Sequence, residues 1–178
     1  TLWHSSAASD VYKRQVSYYD PPNMTYPFGS YICVMEINVD TGTTEIRQFY
    51  ALDDCGTRIN PMVIEGQVHG GLTEALAIAM GQEIAYDEQG NVTTGTLMDF
   101  FVPTAVETPN YQTDHTVTPS PHHPIGAKGV GESPNVGGVP AFSNAVHDAF
   151  RAFGLTQSHM PHDHWRIWKT ANSLGLHD

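Results

Sequence analysis

The residue types best able to do chemistry are concentrated in His122-His123-Pro124-Ile125-Gly126-Ala127-Lys128-Gly129-Val130-Gly131-Glu132-Ser133-Pro134. Gly126, Gly129 and Gly131 can take backbone angles closed to other residues, so successive amide N–H groups can turn towards one point. Ser133 followed by Pro134 reads as a helix N-cap with proline at the first helical position. Loop amides and a helix N-terminus together suit a phosphate or another anion, and Lys128 adds a positive charge. Glu132 stands at the mouth of that site, placed to act as a base. The plain alternative is an ordinary glycine-rich turn leading into a helix.

A second loop offers the same kind of entrance. Cys55-Gly56-Thr57-Arg58-Ile59-Asn60 precedes Pro61, and Gln67 follows one to two turns into the helix that Asn60-Pro61 opens. Each helix N-terminus presents unpaired N–H donors and the positive end of a dipole. The Gln67 side chain leans back towards that end. A planar heterocycle with a phosphate tail could be read by Gln67 and clamped by the loop amides. Enclosed by Val130, Pro134 and such a cofactor, the Glu132 carboxylate would be desolvated and made a stronger base. The alternatives are a buried structural Cys55, a solvated Gln67 and a solvated Glu132 at a helix start. His159, His162 and His164 invite a metal reading, but Pro161 makes joint coordination awkward and no cysteine spacing supports zinc. Helix capping and surface polarity are the roles expected of Asp163 and His162.

The elements that must position these residues follow from patterning. Tyr18 to Phe28 is an irregular lead-in rich in proline and aromatics. Tyr31 to Val39 alternates as a strand, Asp40-Thr41-Gly42 turns the chain, and Thr44 to Leu52 returns as its partner. A helix runs from Asn60-Pro61 to about Met80 and stops at Gly81. Its glycines, Gly66, Gly70 and Gly71, imply that something approaches its N-terminal half closely. Glu83–Tyr86 and Val92–Met98 read as a short hairpin, Phe100–Thr113 as loop and Asp114–Thr118 as a strand. Val139 to Phe153 reads as a helix made irregular by Pro140, with regular helix from Ser143-Asn144. A last helix spans Asp163 to Leu174, with Trp165 and Trp168 on one face. Strands and helices mix without strict alternation, so the expected class is α+β, a mixed sheet with packed helices.

Composition bounds the partners. The 178 residues carry 19 acidic and 8 basic side chains, a formal charge of −11. That balance argues against a nucleic-acid groove or an anionic membrane surface. Any phosphate must therefore be held mainly by backbone amides and Lys128. Two cysteines are too few for a disulfide framework and fit a reducing compartment. Residues 1–15 stand apart: Ser5 to Gln15 resembles a translated sequencing adaptor, with Thr1 to His4 as its index region. That segment is read as non-native and disordered, and residues 16–178 as the natural chain.

From Asp20 to Leu176 the sequence resembles the C-terminal part of the large subunit of molybdenum hydroxylases, the xanthine dehydrogenase and aldehyde oxidase superfamily. The resemblance is carried by Asp54-Cys55-Gly56-Thr57-Arg58-Ile59-Asn60-Pro61, by Gly66-Gln67-Val68-His69-Gly70-Gly71 and by Gly126 to Pro134. Thr118-Pro119-Ser120-Pro121-His122-His123-Pro124 and Met160-Pro161-His162-Asp163 point to the aerobic carbon monoxide dehydrogenase branch. The resemblance implies a partial molybdopterin-binding domain over residues 16–178 and a molybdopterin cytosine dinucleotide carrying molybdenum. Glu132 then matches the active-site glutamate and Gln67 a pterin-contacting glutamine. Cys55, Thr57, Asn60, Lys128, Gly129, Val130 and Gly131 match cofactor-contacting positions, and no protein side chain ligates the metal.

The implied reaction oxidises carbon monoxide with water, and Glu132 accepts a proton or orients the labile oxygen. In that branch a copper ion is held by a cysteine on an upstream loop, which neither Cys33 nor Cys55 matches. The implied partners are the rest of the large subunit and iron–sulfur and flavin subunits, in a dimer of heterotrimers. The implied location is cytoplasmic, peripheral at the inner membrane face, and this portion is expected to be inactive alone. Two other readings stay open: a hydroxylase acting on an aldehyde or heterocycle, and a non-catalytic phosphate- or nucleotide-binding module.

Overall fold

The computed structural model describes residues 18–177, so the adaptor-like segment lies outside the described residues. Strand β1 (Phe28–Ile37) pairs antiparallel with β2 (Thr44–Asp54), joined by the expected turn at residues 38–43. Strand β3 (Tyr111–Thr116) lies on the other side of β2 and runs parallel to it. Three helices complete the architecture: α1 (Pro61–Met80), α2 (Ser133–Arg151) and α3 (His164–Ser173). The class is α+β with a mixed three-stranded sheet.

Alternation sets which face of the sheet is covered. Tyr31, Cys33 and Met35 on β1, and Phe49 and Ala51 on β2, turn towards α1 and α2, while Ile32, Val34, Tyr50 and Leu52 turn away. Helix α1 contributes Val68, Leu72, Ala75, Leu76 and Ala79, one stripe at helical spacing. Phe142 of α2 meets it, with its ring 4.6 Å from Phe49, and Tyr111 closes edge-on at 5.5 Å. Each of these buried rings contributes roughly 1.5–3 kcal/mol relative to exposure. Gly138 lets the two helices approach, because a Cβ there would lie 2.7 Å from that of Ala75. A second cluster, Val146, Phe150, Ile167 and Ala171, fastens α3 to the end of α2.

Several expected elements differ. Helix α2 starts at Ser133, six residues before the expected Val139, and Pro140 sits inside it, beyond the first turn. Proline there lacks the N–H that would donate to the Val136 carbonyl, a local cost that packing of the helix on α1 outweighs. Ser133 is not the N-cap: that position belongs to Glu132, in a helical conformation and without a side-chain capping bond. The hairpin expected over 83–98 reduces to one bridge between Tyr86 and Val92, held by an Asp87 turn. Strand β3 begins three residues earlier than Asp114 because Tyr111 is drawn into the aromatic core.

Asp163 caps α3 as expected, accepting from the Arg166 amide at 2.8 Å, and the Trp165 and Trp168 rings stack. His162 is not a surface residue. It is buried, its amide donates to the Ala79 carbonyl, and its Nε2 lies 2.8 Å from Ser143 Oγ. Burial pushes its imidazole pKa down. Gly71 is approached closely, by Pro134, whereas Gly66 and Gly70 face open space.

Candidate functional site

The two loops singled out in the sequence join at the C-terminal end of β2. Gly56 and Ala127 form an antiparallel bridge. Lys128 N donates to Cys55 O at 2.8 Å and Thr57 N to Gly126 O at 3.1 Å. Gly56 and Gly126 both have positive φ, 67° and 71°, which is what lets the loops lie flat against each other. Gly129 and Gly131 do not share that conformation. Beside the bridge, α2 begins alongside the second and third turns of α1. A Cβ on Gly131 would lie 3.3 Å from Gln67 Oε1, and one on Gly71 would lie 3.1 Å from Pro134 Cβ. Gln67 and the residue preceding Glu132 are therefore neighbours.

Consecutive residues at the strand end hold the loop. Alternation sends Asp53 and Asp54 to opposite sides of β2. Asp54 is fully buried; it accepts from Lys128 Nζ at 3.0 Å, Gly56 N at 2.9 Å and Thr116 Oγ1 at 2.9 Å. Burial would raise its pKa, but the Gly56 amide, Lys128, Thr118 and Thr116 outweigh it and hold the carboxyl well below the usual carboxylate range. Lys128 also lies over the Phe28 ring, 4.6 Å from its centroid. On the other side, Asp53 Oδ1 accepts from Ser133 Oγ at 3.1 Å and from the Tyr31 hydroxyl. Burial is the main reason the Asp53 carboxyl is pushed above its ordinary value, and its Oδ2 is buried without a partner among the described residues.

The expected site residues are brought together with different fates. Gln67, Thr57, Gly129, Gly131 and Glu132 are exposed, with Gln67 lying against Gly131. Val130 is half-buried against the core, and Cys55 is buried, its thiol pushed up by burial. Asn60 uses its side chain to cap α1, accepting from Val63 N at 3.4 Å. Lys128 is corrected: its ammonium neutralises Asp54 and its amide is bonded to Cys55, so it adds no free charge to an anion cradle. The cradle is left to the amides of Gly129, Val130 and Gly131, which find no acceptor among the described residues. Glu132 is exposed, so the enclosure expected around it is not made by this chain's own Val130 and Pro134. Sequence reasoning missed Asp53 and Tyr31, whose only signal was a buried acid among strand-end residues.

Two cavities flank the sheet. The larger, about 820 Å³, lies at the opposite end of β2 between Leu76, Met80, Phe101 and Trp165, away from Glu132. The smaller, about 220 Å³, lies beside Asp53, Cys55, Arg58 and His115. Arg58 Nη1 lies 3.1 Å from the His115 ring, and Arg58 Nε is buried without a partner among the described residues. Among the described residues no three His, Cys, Asp or Glu side chains gather as a metal site, and no helix is long and apolar enough to cross a membrane.

This arrangement has close counterparts. The carbon monoxide dehydrogenase large chain of Afipia carboxidovorans is 73% identical over 162 residues, covering 91% of this chain and 20% of that one. A solved structure of reconstituted CO dehydrogenase from Oligotropha carboxidovorans superposes with a TM-score of 0.88 at 72% identity, over the same shares of each chain. Quinoline 2-oxidoreductase from Pseudomonas putida 86 superposes at 0.84 with 36% identity, covering 88% of this chain and 20% of that one. The chain thus spans about one-fifth of the length of the relatives it matches. The family described as the molybdopterin cofactor-binding domain matches residues 4–109, more than half of the sequence, including β1, β2 and the whole of α1. With that match laid over β2, the loop that carries Cys55 and the helix that carries Gln67, the chain belongs to the molybdopterin cofactor-binding domain family.

Proposed function

We propose that this chain is part of the large subunit of a molybdenum hydroxylase that oxidises carbon monoxide with water to carbon dioxide, and that Glu132 is its base. The observation that carries the reading is the meeting of exposed Gln67 with Gly131, the residue before exposed Glu132. The residues present fit a pterin dinucleotide. Three successive amides lack acceptors among the described residues, Gly129 leaves open space where a side chain would stand, and Gln67 offers both a donor and an acceptor beside them. An acidic chain holds such an anion best through neutral dipoles of this kind.

When bound, molybdopterin cytosine dinucleotide with molybdenum supplies the two-electron oxidation and the transfer of oxygen from water. The chain's own residues bind and orient. Gln67 reads the edge of the heterocycle, the Gly129–Gly131 amides receive the anionic tail, and Thr57 and Asn60 line the first entrance. Cys55 shapes that loop from below. Glu132 takes up a proton or holds the reacting oxygen. Copper, where the holoenzyme carries it, is held by a cysteine other than Cys33, whose thiol is pushed up to about 12 by burial in the core. The rest of the large subunit encloses Glu132, and iron–sulfur and flavin subunits receive the electrons in a cytoplasmic dimer of heterotrimers, peripheral at the inner membrane face.

Replacing Glu132 by Gln in the complete enzyme tests the assignment. The expected result is retained molybdenum cofactor with turnover lowered by ~10² or more; unchanged turnover overturns it. The likeness to quinoline 2-oxidoreductase supports a competing substrate class, a heterocycle. Comparing turnover of carbon monoxide and quinoline by one preparation separates the two.

A further inference from the structure

The Glu132 side chain is exposed and makes no capping bond to its own helix. The backbone therefore sets where its Cα–Cβ bond points, and that backbone is held through its neighbours. On one side Gly131 rests against Gln67. On the other, Ser133 Oγ donates to Asp53 Oδ1 at 3.1 Å, and the Tyr31 hydroxyl lies 3.4 Å from the same Ser133 oxygen while donating to Asp53. The Glu132 carbonyl in turn accepts from the Val136 amide at 3.0 Å, starting α2.

Asp53 is a stiff anchor. It pairs with Gly29 of β1 and His115 of β3, so the strand carrying it is held on both edges. The Tyr31 ring is wedged against α2, because any Cβ on Gly137 would run into it. The carboxyl is also an expensive choice: it is only 4% exposed, and its second oxygen has no partner among the described residues. A group needed only to fill space would not be a half-satisfied buried carboxyl.

We propose that Asp53 is a positioning residue: through Ser133, with Tyr31 bracing both, it sets the backbone turn that aims the Glu132 carboxylate. The inference rests on the reading of Glu132 as the base. It makes Ser133 a link to the sheet rather than a helix cap, and it gives a role to a buried carboxyl.

The test uses the complete holoenzyme with Ser133→Ala, Ser133→Thr and Asp53→Ala. Ser133→Ala removes only the hydroxyl; it should keep molybdenum content and KM while lowering kcat about 10- to 100-fold, the scale of a small misplacement. Ser133→Thr restores the hydroxyl and should restore kcat. Hydrogen exchange at the Val136 amide should quicken about 10-fold in Ser133→Ala and return in Ser133→Thr, a readout independent of turnover. Asp53→Ala should match Ser133→Ala, and the double variant should be no worse than either, because the two act as one unit.

If Asp53→Ala does not fold, the two Ser133 variants alone decide. Wild-type kcat and wild-type Val136 exchange in Ser133→Ala overturn the proposal. Should Glu132→Gln in the same enzyme leave turnover unchanged, the base assignment fails. The Val136 exchange then still reports whether Asp53 and Ser133 hold the turn.

Discussion

Lys128 places its ammonium 3.0 Å from the Asp54 carboxylate, in a spot where the two side chains are 7% and 0% exposed. This pair fastens the start of the glycine loop to the end of the central strand, while Asp53 and Ser133 fasten its other end. Two adjacent acids on opposite faces of one strand thus grip both ends of the segment carrying Glu132.

Breaking the pair from one side leaves a buried, uncompensated charge. Lys128→Met should destabilise the large subunit by about 3–5 kcal/mol. The double variant Asp54→Asn with Lys128→Met should recover much of that loss. Thermal melts of the assembled enzyme, together with molybdenum content, check both.

The same pair gives acid stability a definite sign. Asp54 is held below its unfolded value of about 3.9. Its stabilisation is present above that value and is lost as pH falls through the lower folded value. The stability gap between wild type and Asp54→Asn should therefore be full near neutrality and shrink as pH drops below about 4. Chemical denaturation at a series of pH values measures that gap.

Gly56→Ala should part the two loops. Position 56 has φ 67°, and an added Cβ would run into the Gly126 carbonyl oxygen. A non-glycine residue in that region costs on the order of 1–3 kcal/mol before the clash is counted. The expected outcome is a subunit that folds with lowered thermal stability and loses most of its molybdenum, read by metal analysis.

Gly138→Val tests how tightly α2 must approach α1 to bring Ser133 within reach of the sheet. The new side chain would meet Ala75, 2.7 Å from the first added carbon, and Leu72 beyond it. Overpacking of this kind typically costs about 1–3 kcal/mol. A lowered melting temperature, with faster amide exchange at the start of α2, is the expected result.

Much of this was legible from residue order alone. The β1–β2 hairpin, α1 with its Asn60 start and Gly81 stop, and the Asp163-capped α3 depend on alternation, helical spacing and caps, which act between near neighbours. The glycine loop and its acid were visible for the same reason, as was the mixed α+β class. Contacts between distant segments were not. The start of α2 is decided by packing of Pro134, Gly138 and Phe142 on α1, which outweighs the irregularity that Pro140 introduces. Lys128 looked free because its partner lies 74 residues away, Ser133 looked like a cap because its real acceptor is on another strand, and His162 looked solvated because Ser143 and Ala79 reach it only after α2 and α3 dock. Local sequence sets which backbone states are cheap; only the closed fold decides which buried charge meets which, since that energy exists only once water has been excluded from both.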